Sequence, residues 1–236
     1  MPESDLTEIL LLCRHDFSPV VPFDPACQKL ARLDFTQNNT ALTAGIVADT
    51  ARLGCYVGAQ LAGQNAVYGI GGYAEHRTIY SRSRLFDGES GEEEPRRLHL
   101  GTDIWGAAGT PVMAPLDGTV HSFAYNGQPG DYGTTIILRH VLAEHVFYTL
   151  YGHLGLVSIR GLQEGAVIGK GQVFAWLGEP AENGQWPPHL HFQIVRDMQG
   201  WRGDYPGVCR FSEQKEYLGN CPDPDLVLQL NRYAGS

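Results

Sequence analysis

The chain has 236 residues, 43% of them hydrophobic, which is room for one large domain and enough apolar content for a real core. Its formal charge of −9 argues against nucleic acid or an anionic membrane as partner, because both select basic surfaces. Five scattered cysteines, Cys13, Cys27, Cys55, Cys209 and Cys221, contain no CxxC pair, and an odd number suits a reducing compartment better than a disulfide framework. Only Cys209 and Cys221 lie close enough in sequence to suggest a local bridge.

In chain order, Met1 to Arg14 lacks a basic leading region, and its apolar run, Ile9 to Leu12, is only four residues long. That is no secretory signal, and no other stretch is long enough to insert in a membrane. The sequence as given is therefore expected to be cytoplasmic, or exported if a leader has been trimmed from it. Residues 1–35, with Pro19, Pro22 and Pro25, read as an extended arm. Leu42, Ile46, Ala48, Leu53, Tyr56, Val57 and Leu61 then recur at intervals of roughly three and four, which predicts an amphipathic helix over about 40–62. Asn38 or Asn39 can cap its start and Gly63 its end. Gly69 to Gly72 breaks the chain, Tyr73 to Tyr80 is a candidate strand, and the acidic, glycine-containing run Asp87 to Pro95 is a solvated loop.

After His99 the texture is β. Six short runs, Pro111–Ala114, Gly118–Ala124, Thr134–His140, His145–Tyr151, Gln172–Leu177 and Leu190–Val195, are rich in β-branched and aromatic residues and bounded by glycine or proline. They predict a mainly β fold, an antiparallel sandwich or barrel. Beyond Trp201 come turns and then Leu226–Leu230, a last helical turn or strand. The expected organisation is an N-terminal extension over 1–90, a core over 91–200, and a C-terminal extension over 201–236 packed on that core.

Three short runs carry the chemistry: His99-Leu-Gly-Thr-Asp103, Tyr151-Gly-His153-Leu, and Pro188-His189-Leu-His191-Phe. A catalytic zinc site keeps three protein ligands and leaves a place for water. His99, Asp103 and His191 make three, and His153 and His189 are left beside the metal to handle protons. His189 and His191 stand at i and i+2, so a strand puts both on one face. The other histidines, His15, His76, His121, His140 and His145, belong to no such pattern. The residues together point to a zinc hydrolase.

These runs, together with Gly109–Val120 and Gly165–Gln172, resemble the lysostaphin-type (M23, LytM-like) zinc metallopeptidases over about residues 95–196. The resemblance implies a mostly antiparallel β core with a long groove. It implies that His99, Asp103 and His191 hold one zinc ion per chain and that His153 and His189 are the catalytic histidines. It also implies an endopeptidase acting on peptide cross-links of bacterial peptidoglycan. Where the family has a small Ser/Thr-Gly-Pro run before the second catalytic histidine, this chain has Gln185-Trp-Pro-Pro188, so Trp186 is a candidate substrate contact at the groove edge. Arg77, between Tyr73 and Tyr80, is a second candidate, as an arm for a substrate carboxylate; the simpler alternative is one solvated arginine on a strand. Two other functions compete: a cytosolic zinc amidohydrolase acting on a non-wall peptide or amide conjugate, and a non-hydrolytic zinc-binding regulatory module.

Overall fold

The structure, a computed structural model, describes residues 5–87 and 93–235. The middle of the expected acidic loop lies outside the described residues. Asp5 caps α1 (Leu6–Leu12), accepting a hydrogen bond from the Thr7 amide, and Leu6 and Leu10 turn into the main core. Then follow β1 (Leu30–Leu33), the single turn α2 (Ala44–Val47), α3 (Thr50–Gln64) and β2 (Tyr68–Gly71). The helix expected over 40–62 is thus two helices. Asp49 accepts from the Arg52 amide at 2.9 Å and starts a new helix at Thr50. At the other end Asn65, at φ +50°, takes the left-handed C-cap position expected of Gly63.

The glycine run expected as a break is largely strand β2, buried at all four positions. Conversely, 73–80 is not a strand: the chain turns at Ala74, φ +54°, makes isolated bridges at His76 and Arg77, and enters a 3-10 turn over Ile79–Arg82.

All six predicted strands appear, shifted by a few residues at most. The core supplies β3 (Leu98–His99), β4 (Thr102–Trp105), β5 (Pro111–Met113), β6 (Gly118–Asn126), β7 (Gly133–Leu142), β8 (His145–Leu154), β9 (Val167–Ile168), β10 (Val173–Trp176) and β11 (His189–Val195). The chain finishes with β12 (Val208–Cys209), α4 (Gln214–Asn220) and α5 (Asp225–Leu228). One mixed eight-stranded sheet runs β1-β2-β4-β11-β8-β7-β6-β9, and ribbons β5–β10 and β3–β12 stand beside it. The β1–β2 pair is parallel and every other pair of the large sheet is antiparallel. The fold is mainly β.

Strand β11 shows why the site lies where it does. It is buried along its whole length between β4 and β8. Leu190, Phe192 and Ile194 enter the largest core cluster, so the period of two turns His189, His191 and Gln193 to the opposite face. On β4, Ile104 goes to that core, and Asp103 and Trp105 face the same way as the histidines. The histidine face is covered by the two ends of the chain. Phe35, Leu53, Tyr80 and Phe86 cluster with Trp105 and Trp186, while Tyr205, Cys209 and Cys221 cluster with Leu98 and Leu150.

Candidate metal centre and cleft

In the strand register His191 lies opposite Asp103 on one side and Gly152 on the other. His99 arrives from β3, and the chain recrosses at Gly101, where a Cβ would stand 2.5 Å from His191 Cε1 and 2.8 Å from the Phe192 carbonyl oxygen. A side chain at 152 would likewise strike the Tyr132 ring, 2.5 Å away. Within this packing His99 Nε2, His191 Nδ1 and Asp103 Oδ1 form a triangle with sides of 3.0, 3.1 and 3.2 Å. Ligands of a tetrahedral zinc ion at about 2.0–2.1 Å stand roughly 3.3 Å apart.

The proton positions make the same point. His99 Nδ1 donates to the Gly72 carbonyl oxygen at 2.9 Å, and His191 Nε2 donates to Gln193 Oε1 at 2.9 Å. With the ring protons turned outward, both imidazoles aim lone pairs at a carboxylate oxygen. Three buried lone pairs at this separation repel one another until a cation lies between them, so the donor set fits a metal ion.

Arg77 is corrected by its place in the structure. It is fully buried behind Asp103, donating through Nη1 to Asp103 Oδ2 at 2.5 Å, through Nε to Glu75 Oε2 at 2.7 Å and through Nη2 to the Gly72 carbonyl oxygen at 3.2 Å. All three donor groups are committed within the protein, so Arg77 holds the Asp103 carboxylate in the triangle and does not reach a substrate. Burial pushes the Asp103 carboxyl up, but His99 and the Arg77 guanidinium outweigh it and hold the group well below the usual carboxylate range. Burial, reinforced by the charge of Arg77, lowers His99 to about 4.

His153 and His189 stand beside the triangle with ring centroids 4.1 Å apart. Each donates Nδ1–H to a backbone carbonyl at 2.8 Å, His153 to Asn183 and His189 to Pro187, which leaves each Nε2 as the proton-accepting atom. Trp105 stacks flat on His189 at 3.9 Å and fixes its plane. His153, next to last in β8, sits at φ +62°, a left-handed conformation that a non-glycine residue adopts at a cost of order 1–3 kcal/mol. Burial pushes His189 down to about 4 and His153 well below its ordinary value, the latter helped by His189. Both rings are neutral at pH 7.

Asp103, His153, His189 and His191 line one cavity, walled by Tyr80 and Phe86 from the N-terminal side and by Asp204, Tyr205 and Val208 from the C-terminal side. Trp186 lines it as well, its ring 6.1 Å from His189 and overlain by the Arg82 guanidinium at 4.4 Å. Arg96 and Asp131 also line it, and burial with the neighbouring Asp131 raises Asp204 to about 6. Three supporting residues were missed by sequence reasoning: Glu75, Tyr132 and Gln193. Gln193 carries a signal, two residues past His191 on one strand face; Tyr132, in a loop 59 residues from its histidine, carries none.

Residues 97–202 match the model of Peptidase family M23. Over 150 residues, 60% of this chain and 41% of the relative, the sequence is 30% identical to L-Ala–D-Glu endopeptidase of Bacillus subtilis. Over 98 residues, 42% of this chain and 18% of the relative, it is 36% identical to an uncharacterized metalloprotease of Haemophilus influenzae. The chain spans less than half the length of the curated relatives it matches. Among solved structures, a zinc-containing peptidase from Vibrio cholerae aligns at 28% identity over 42% of this chain and 27% of its own, with a TM-score of 0.34.

Proposed function

We propose, from the match of residues 97–202 to Peptidase family M23, that the chain carries a domain of that family and is a zinc-dependent metalloendopeptidase. The observation that carries the reading is the triangle of inward lone pairs, 3.0–3.2 Å on a side, with two neutral histidines in the same cavity. His99, Asp103 and His191 would hold one zinc ion per chain. When bound, the metal supplies Lewis-acid polarisation of the scissile carbonyl and acidifies water toward a pKa of about 7.

The rest is the work of the chain's own residues. His153 and His189 present Nε2 with the ring orientation fixed from behind by Asn183 and Pro187. One of the pair accepts the proton of the attacking water. The imidazolium so formed gives the proton to the leaving amine nitrogen. Arg77 keeps Asp103 ionised and aimed at the centre. Trp186, only 3% exposed and covered on one face by Arg82, backs the cavity wall beside the two histidines and is not the groove-edge substrate contact expected from the sequence.

The favoured substrate is a peptidoglycan-type peptide, on the strength of the family and of the relative that cleaves an L-Ala–D-Glu bond. Such a substrate places the enzyme's work outside the cytoplasm, against the location expected from the sequence as given. No helix among the described residues is long and apolar enough to cross a membrane.

Metal analysis tests the reading. Protein purified without chelator should contain one zinc per chain, His191→Ala should contain almost none, and chelator-stripped enzyme should regain hydrolysis on adding zinc. Undiminished hydrolysis by metal-free protein would refute it.

A further inference from the structure

We propose that Gln193 is a positioning residue for His191, and that the C-terminal segment sets it through Pro206 and Cys221. The inference rests on the metal-centre reading above. Gln193 is completely buried and shares a strand face with His191. Its amide is fully committed: Nε2 donates to the Pro206 carbonyl oxygen at 3.1 Å and to Cys221 Sγ at 3.2 Å, while Oε1 accepts from His191 Nε2 at 2.9 Å.

A buried amide has two orientations related by a half-turn, and here only one satisfies its neighbours. Turned over, it would set Oε1 against the Pro206 carbonyl oxygen, which has no proton to give, and set its NH2 against His191 Nε2. His191 would then have to accept at Nε2 and carry its proton on Nδ1. Nδ1 is the atom that faces Asp103 and His99, 3.1 and 3.0 Å away, and a protonated nitrogen cannot bind a metal there. The Pro206 carbonyl oxygen therefore selects the metal-competent tautomer, and Cys221 Sγ takes the second amide proton. The Tyr132 hydroxyl lies 3.3 Å from the same Nε2.

The same segment also supports the other histidine ligand. Strand β12 pairs with β3, which carries His99, and the Leu100 amide donates to the Gly207 carbonyl oxygen at 2.9 Å. Both histidine ligands are thus referenced to residues 206–221, and the family match ends before them, at residue 202.

The direct test is the tautomer of His191 in metal-free protein, read from two-bond nitrogen–proton couplings in a 15N-histidine-labelled sample. The Nε2–H form is expected in the wild type. Chelator competition then compares zinc affinities. Gln193→Met should shift the ring toward Nδ1–H and weaken zinc binding roughly 10–100-fold. Gln193→Glu, which still accepts from Nε2–H, should keep the Nε2–H form. Cys221→Ala should weaken zinc several-fold, and Cys221→Ser, whose hydroxyl accepts the amide proton, should restore it.

An Nδ1–H ring in the wild type overturns the proposal, as does wild-type zinc affinity in Gln193→Met. If Gln193→Met does not fold, the wild-type tautomer and the Cys221 pair decide. A wild type that takes up no zinc refutes the metal-centre reading instead, and the tautomer alone then decides for Gln193.

Discussion

At Gly101 the backbone passes so close to His191 that a methyl group would overlap the ring, with 2.5 Å between carbons. Gly101→Ala should therefore displace His191, the proposed metal ligand, rather than merely stiffen a turn, and zinc titration should show binding weakened at least ten-fold. Arg77→Met leaves the buried Asp103 and the half-buried Glu75 carboxylates without their counter-ion, and removing the partner of a buried charge costs about 3–5 kcal/mol. Urea unfolding of metal-free protein should show it, and Arg77→Lys should recover only part, because one ammonium cannot reproduce the fork that serves both carboxylates. At this scale the sequence was most legible where chemistry is dense: two histidines at i and i+2, and a histidine and an aspartate four apart, are ligand types at ligand spacings. Arg77 was misread because its partner is 26 positions away in sequence, and nothing local marks an arginine as buried.

Among the elements, the alternation along β11 was legible because one strand carries both the apolar core positions and the polar site positions. The pairing of β1 with β2 was not. Each is only four residues long, β2 is half glycine, and the parallel pair needs a long connection through α2 and α3. That connection does more than join strands. Thr50, the first residue of α3, donates its hydroxyl to the Gln185 carbonyl oxygen at 2.6 Å. Arg82 donates to the same oxygen at 3.1 Å and to Thr50 Oγ1 at 2.7 Å, and lies over Trp186. The N-terminal third thus fixes the loop that leads into His189. Arg82→Met should lower stability by about 1–2 kcal/mol through the lost charged hydrogen bonds and ring contact. Hydrogen exchange should quicken at residues 183–186, with the strand β7 amides unaffected. Unchanged exchange in that loop would mean the contacts hold nothing.

For the whole molecule, buried neutral histidines set the response to acid. His140, away from the proposed metal centre, donates Nδ1–H to the Asp117 carbonyl oxygen and accepts from Thr149, and burial pushes it down to about 4 from an ordinary 6.5. Above pH 6.5 the ring is neutral folded and unfolded, and it contributes no pH dependence. Between 6.5 and 4 the unfolded chain binds a proton that the native fold refuses, so stability falls as pH falls, by on the order of 3 kcal/mol for this residue. His140→Gln keeps a donor and an acceptor without titrating. Its urea midpoint should therefore depend less on pH than that of the wild type across this window, and parallel curves would contradict the account.

The central claim concerns bond cleavage, and product analysis by mass spectrometry tests it most directly. Zinc-loaded protein and its His153→Ala variant would be incubated with purified peptidoglycan and with a panel of oligoglycine and D-amino-acid peptides. The account predicts zinc-dependent scission of a peptide bond, slowed roughly 10²–10⁴-fold in a variant that still binds one zinc. Intact substrates throughout, with one zinc bound per chain of the wild type, would contradict it.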